Sequence, residues 1–498
     1  MHNKQAGDAL SVYMRRTAHL LLLAGMVAVL AACSDDDSFT TSRSNLLTFS
    51  QDTVSMDTVF SKVPTPTQSF WVYNKSGDGI RCSSVRLTKG NQTGFRVNID
   101  GIYLSETIGY ATTDIEVRDG DSVRVFVELT APTNGGEGPQ LVQDQLLFTL
   151  ESGIEQGVTL MAYAWDAEML TDAHFSTDTL IGGTTPLLIS GGLTIDSLAT
   201  VRIAAGTTLY FNSGAGVDIY GTLITEGEAG NEVTFRGSRT DNMFDYLPYD
   251  RVSGQWEGIT IHDSSFNNEF NFTDIHSTFD GIVCDSSVVT TPKLALYNCT
   301  VHNCQGYGLT ATNCWIDLRN TQVSNTLDDC VCIDGGYCLL LHCTIAQFYP
   351  FDSNRGYALS YFDSYDKPLS AIEVVNTIIT GYADDVINGV TYIADETFYY
   401  YYVSCILRTP EVEDDGSGRL QDIWWEGTDS DDDMADSDTI SGAEHFKLVD
   451  IDLQDYDFHL DSISPAIGRA STTYSLTTDR DGNTRDDAPD IGAYEYIP

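Results

Sequence analysis

The residues of this chain best suited to chemistry are carboxylates in short runs. Asp479-x-Asp481-Gly482 is followed by Asp490, and bare acidic pairs stand at Asp328-Asp329 and Asp384-Asp385. Clustered carboxylates hold hard cations such as calcium. A polysaccharide lyase adds an Arg or Lys that takes the proton beside the uronate. That basic partner is scarce here, since Arg319 is the sole Lys or Arg between Lys293 and Arg355. Read as a calcium loop beginning at Asp479, the segment has its glycine two positions early and Asp490 where position twelve requires Glu. A turn in which Arg485 pairs with a carboxylate fits better, and calcium on Asp479, Asp481 and Asp490 is the weaker alternative. No residue stands out as catalytic.

Cys33 offers a different chemistry. Arg15-Arg16, an apolar run from Leu20 to Leu30 and the small pair Ala31-Ala32 precede it, the order of parts in a secretory signal. Leu30-Ala31-Ala32-Cys33 resembles a bacterial lipobox, which implies cleavage before Cys33 and acylation of that residue. The run is too short for a permanent transmembrane helix. Ser34-Asp35-Asp36-Asp37 resembles the acidic signal that sends lipoproteins of some Gram-negative anaerobes to the outer face of the outer membrane. Residues 1–33 are thus expected to be a signal peptide, with Met14 as an alternative start, and residues 34–45 an acidic tether. The expected location is the outer membrane, lipid-anchored and facing outward.

Composition narrows the partners. The formal net charge is −46, which repels nucleic acid phosphates and anionic lipid. Aromatics at 11%, with 26 Tyr and abundant Thr, Val and Ile, favour strands, and no long 3.6-residue period follows the signal. The sequence predicts an all-β chain. Residues 46–170 read as short alternating strands at the spacing of an immunoglobulin-like β-sandwich, and Thr171–Gly183 reads as a linker.

Residues 184–440 have another texture. Leu296-Tyr297-Asn298-Cys299-Thr300-Val301 recurs as Leu318–Val323 and as Leu340–Ile345, 22 residues apart each time. A fourth copy, Val374–Ile379, follows a longer gap, with the excess assigned to a loop over Tyr349–Asp366. Short strands at a fixed period of about 20 residues make a solenoid, here a parallel β-helix. Equivalent side chains then stack in columns. Asn298, Asn320, His342 and Asn376 form one such column, expected to be inward asparagines that pair with backbone of neighbouring coils. Cys299 and Cys343 share another, two coils apart with Thr321 between, too far for a disulfide. The cysteines are therefore expected to be mostly free core residues. Residues 441–498 would cap the solenoid.

Gly191–Ile261, with Ile203–Phe211, Val233–Gly237 and Gly254-Gln255-Trp256-Glu257-Gly258-Ile259, resembles the right-handed parallel β-helix of exported lipoproteins related to the pectate-lyase superfamily. Ser464–Gly468, Asp479–Arg485 and Asp490–Glu495 resemble the closing segment of variable-anchor β-helix surface proteins. The resemblance implies a surface-displayed β-helix that touches glycans or host surfaces; the reading is a binding or adhesion module with glycans as the leading ligand class and no cofactor expected, calcium being the alternative. Because the superfamily includes polysaccharide lyases and glycoside hydrolases, an enzyme is the alternative; a structural surface role is a third. Phe398–Val403 and Trp424-Trp425 could supply aromatic platforms for sugar rings.

Overall fold

The computed structural model describes residues 38–136, 138–393, 399–413, 416–426 and 440–498. Cys33 and the Ser34–Asp37 signal lie outside them. The chain divides into two compact units, one from the start to Thr133 plus Gln140–Ala164, the other Asn134–Pro139 plus Trp165–Pro498.

The first unit is a sandwich of antiparallel sheets. Its strands are β1 (Leu47–Phe49), β2 (Thr53–Phe60), β3 (Gln68–Asn74), β4 (Ile80–Leu87), β5 (Phe95–Ile99), β6 (Ile102–Tyr103), β7 (Ala111–Thr112), β8 (Ile115–Val117), β9 (Ser122–Leu129), β10 (Gln140–Leu150) and β11 (Glu155–Trp165). One sheet runs β1-β3-β9-β5-β6; the other runs β2-β11-β10-β4-β7, with β8 also on β4. Strands β1, β3, β9 and β5 take the places of A, B, E and D of an immunoglobulin domain, and β4, β10 and β11 those of C, F and G. Alternation sends every second side chain inward: Val125, Val127 and Leu129 on one sheet face Leu146, Phe148 and Leu150 on the other. Each such burial is worth about 1.5–3 kcal/mol.

The second unit is a parallel β-helix. It begins earlier than the sequence suggested, because the expected linker Thr171–Gly183 contains strand. Glu168–Phe175 pairs in parallel with Leu187–Ile195, and Thr179–Ile181 with Thr200–Ala204. A terminal coil has a partner on one side only, so it tolerates the polar, turn-like residues that mimic a linker. The sandwich accordingly ends near Ala164 rather than residue 170. The 22-residue repeat is real: Leu318 sits over Leu296, Leu340 over Leu318 and Val374 over Leu340. All four are fully buried. The supposed loop Tyr349–Asp366 contributes a further strand, Leu359–Asp363, to the ladder.

Asn298, Asn320, His342 and Asn376 do form a column, all with positive φ between 45° and 58°. Asn and His tolerate this left-handed conformation better than most residues. Contrary to the expectation, their side chains do not point inward to the backbone of adjacent coils. Asn320 Nδ2 donates to Asn298 Oδ1 at 3.0 Å and to the Thr478 carbonyl; Asn376 Nδ2 lies 3.0 Å from His342 Nε2. The column faces outward under the C-terminal segment, with Asn320, His342 and Asn376 buried and Asn298 half-buried. That segment is therefore a lateral strap, not an end cap. It lies along the strands Thr273–His276, Thr300–Cys304, Gln322–Thr326, Thr344–Gln347 and Ile378–Gly381, which apart from the half-buried Asp274 and His302 are buried on both faces as a covered parallel sheet is.

Chemistry grades along that outer face. Asp274 is followed, coil by coil, by Thr300, Gln322, Thr344, Ile378 and Ile406. The hairpin of Phe446–Asp450 and Asp455–Leu460 sets Phe446, Phe458 and Leu460 against Ile378, Ile406 and Phe348 at the apolar end. Polar ties hold the rest: Ala493 N–H donates to Thr344 Oγ1, Tyr494 Oη to Gln322 Oε1 at 2.6 Å, and Arg480 Nε to Thr300 Oγ1.

Candidate functional site

Where the strap crosses the polar end of this face, a cavity of about 250 Å³ remains. His302, Asn303 and Asn325 line it from the coils, and Asp457, His459 and Tyr494 from the strap. Neighbouring Asp274 and His276 stand one coil above, His276 directly over His302 with ring centroids 4.9 Å apart.

The coil wall is a chain of charged and imidazole groups. His302 Nε2 lies 3.2 Å from Asp274 Oδ1, and His276 Nδ1 lies 2.8 Å from the same oxygen. His276 Nε2 meets Asp250 Oδ1 at 2.9 Å, and Arg236 Nη2 holds that carboxylate at 2.7 Å. Local sequence explains how these meet. A short 3-10 turn, Tyr249–Arg251, ends the excursion that carries Asp250, and Ser277 Oγ donates to the Asp250 carbonyl. Trp256 fixes His276 from below: its indole N–H donates to the His276 carbonyl at 2.9 Å, and its ring stacks on Phe211 at 4.2 Å. Gly258 allows the close turn after it, since a Cβ there would lie 1.6 Å from the Asp280 carbonyl oxygen. Burial alone would lower the pKa of His276, but Asp274 and Asp250 outweigh it and hold it at about 9. Asp274 is likewise opposed by burial and driven well below the usual carboxylate range by His276 and His302.

The strap wall mirrors this. His459 Nε2 lies 2.7 Å from Asp481 Oδ2 and Nδ1 lies 2.5 Å from Asp457 Oδ1. The bond to Asp481 raises its pKa, against burial. Arg480 joins Asp481 to Glu232. Between the walls, Asn303 and Asn325 form a second column of positive φ, 54° and 55°. Asn325 Nδ2 donates to Asn303 Oδ1, while the buried Oδ1 of Asn325 has no hydrogen-bond partner.

Of the expected cation residues, Asp481 alone reaches this neighbourhood. Asp479 Oδ1 accepts N–H from Asp481 and Asn483, and its Oδ2 from Asn483 Nδ2 and Glu495 N–H. Asp490 accepts from Gly468 and Tyr496. Asp479 and Asp490 shape turns, Asp481 pairs with His459 and Arg480, and the three carboxylates do not converge. Arg485 pairs with Glu495 at 3.0 Å, as the turn reading requires. Arg319 lies outside the cavity, held bidentately by Asp317 at 2.9 and 2.8 Å, and Asp384 is paired with Arg408. In the tyrosine run, alternation holds: Tyr402 is core, whereas Tyr399 and Tyr401 are exposed. Phe398, and the acidic run Asp429–Asp433 that the sequence alone reads as a solvated loop, lie outside the described residues.

Sequence reading missed His276, His302 and His459. Three lone histidines carry no spacing signal, although Asn303 and Asn325 stand at the same 22-residue interval as the column that was recognised.

No family model matches the chain, nor does any curated protein. Among solved structures it is similar to a protein of unknown function from Porphyromonas gingivalis W83, at 12% identity and TM-score 0.19 over 26% of this chain and 50% of that one. It is also similar to a family 123 glycoside hydrolase from Clostridium perfringens, studied for glycolipid glycan hydrolysis, at 5% identity and TM-score 0.16 over 24% and 25%. The chain thus spans half of the first and a quarter of the second, and likeness at these scores carries no argument about fold or activity.

Proposed function

We propose that this chain is a lipid-anchored surface module of the pectate-lyase-like β-helix type that binds a glycan in the cavity between coils and strap. The lipobox-like Leu30–Cys33 and the acidic Ser34–Asp37 support attachment and outward display, and the tether would hold the domains off the membrane. One observation carries the ligand class. The cavity walls combine amides (Asn303, Gln322, Asn325), carboxylates (Asp455, Asp457) and aromatic rings (Tyr456, Tyr494), the donor, acceptor and ring-face set that vicinal hydroxyls and pyranose faces require. Its volume falls below the roughly 300–1,000 Å³ of drug-sized pockets, which suits one sugar unit at a chain end or branch. Arg251, the arginine on the cavity wall, is tied to Asp455 at 3.0 Å, and Arg319 outside the cavity is tied to Asp317, so each is engaged by a carboxylate, and binding is preferred to cleavage.

The test is retention on an array of neutral and acidic polysaccharides, using the full chain in detergent and scoring new unsaturated or reducing ends. Retention without cleavage, lost in Asp455→Ala and Tyr494→Phe, supports the reading. Cleavage overturns the preference for a binder, and retention unchanged in both variants moves the site elsewhere.

A further inference from the structure

Two imidazoles from adjacent coils converge on one carboxylate oxygen. Asp274 Oδ1 stands 2.8 Å from His276 Nδ1 and 3.2 Å from His302 Nε2. One ligand atom from each of the three residues falls in a group spanning no more than 4.8 Å, which is the sole set of three or more potential metal ligands among the described residues. A first-row dication with bonds of 2.0–2.2 Å spaces its ligand atoms roughly 3 Å apart. Two of the three spacings, 2.8 and 3.2 Å, match that, and the third lies within 4.8 Å.

The surroundings are also those of a metal ligand set. His276 turns its other nitrogen to Asp250 at 2.9 Å, and Arg236 fixes Asp250. A carboxylate behind an imidazole is the usual device for orienting a ligating histidine and raising its basicity. Around this centre, Asp250 pairs with Arg236, and Glu232 and Asp481 pair with Arg480. Access exists, because the Asp274 and His302 side chains are 30% and 24% exposed and His302 borders the cavity.

We infer that Asp274, His276 and His302 bind one transition-metal dication of the zinc, cobalt or iron(II) class. Two nitrogens and one oxygen are too few and too soft for calcium, which takes six to eight oxygens. Three protein ligands leave the ion at least one open position. Metal binding stands on this geometry alone. That the ion also contacts a sugar hydroxyl in the cavity rests on the reading above.

The experiment is titration of chelator-stripped full chain with Zn²⁺ by calorimetry and with Co²⁺ by visible absorption. One equivalent of either should bind saturably, with a Co²⁺ spectrum of low coordination number and a higher melting temperature. His302→Asn and Asp274→Asn should each weaken binding at least tenfold. Asp250→Asn should weaken it about 10- to 100-fold, and His174→Asn, an exposed histidine elsewhere, should leave it unchanged. Absence of saturable binding to the unmodified chain overturns the proposal. So does affinity unchanged in Asp250→Asn and whichever ligand variant melts cooperatively. Metal bound without any glycan retained would sink the glycan reading and leave the metal site standing.

Discussion

Arg485 shows how much a single buried cation organises here. It is almost wholly enclosed, donates to Glu495 Oε2 and Asn320 Oδ1, and takes the carbonyls of Asp490, Gly492 and Ala493. Arg485→Met would strand Glu495 as a buried, unpaired charge, so a loss of about 3–5 kcal/mol in urea unfolding is expected. A second residue-scale expectation concerns His342. Burial, with Arg485 nearby, lowers its pKa to about 2. The unfolded chain takes up a proton at this site below about pH 6.5, which the native state refuses. Stability should therefore decline by up to about 1.4 kcal/mol per pH unit on that side. His342→Asn removes this slope and suits the same positive φ. The variant should exceed the parent by about 2 kcal/mol at pH 5 and by little at pH 8, as read by melting at both values.

At the scale of elements, the coils are locked by a column inside the turn. Thr273, Cys299, Thr321, Cys343, Thr377 and Cys405 stack one per coil. Cys299 Sγ donates to the Phe270 carbonyl, Thr321 Oγ1 to Leu296, and Cys405 Sγ to Val374, each reaching the coil before. A thiol and a hydroxyl are interchangeable in this role because both are short donors, which explains cysteines that never pair. All ten described cysteines are free and only Cys332 is less than fully buried. Burial pushes Cys299, Cys343 and Cys405 up to about 12. A thiol-specific disulfide reagent at pH 8 should label at most Cys332 in native protein, and all ten described thiols once denaturant is added. Rapid labelling of several native thiols would contradict the column.

On the scale of the molecule, the strap closes a sheet that the coils leave open on one face. Glu426 anchors its start: the buried carboxylate meets His445 Nε2 at 2.6 Å and accepts from Gly442 N–H and Thr380 Oγ1. Removing residues 441–498 should uncover Phe348, Ile378 and Ile406, a contiguous apolar patch of the kind that drives association. The shortened chain is expected to keep its β circular dichroism, bind a hydrophobic dye and aggregate at micromolar concentration. A monodisperse, dye-silent product would mean that the strap adds little to stability.

Period and alternation in the sequence determined the class of fold. A 22-residue interval in Leu296, Leu318 and Leu340 forces stacked coils, since each buries its apolar face only on the next, and two-residue alternation in Ser122–Leu129 forces a half-buried sheet. The turn role of Asp479–Arg485 was equally legible, because it depends on bonds within a few residues. The direction of the asparagine column was not, nor was the start of the first coil. Both depend on what covers an element, and the covering strap is separated from Asn298 by well over a hundred residues of chain. The cavity is of the same kind. His276 and His302 meet because one coil lies on another, and His459 joins them only when the strap folds back. Long-range packing leaves no local spacing to read, so tertiary structure alone brought those three histidines together.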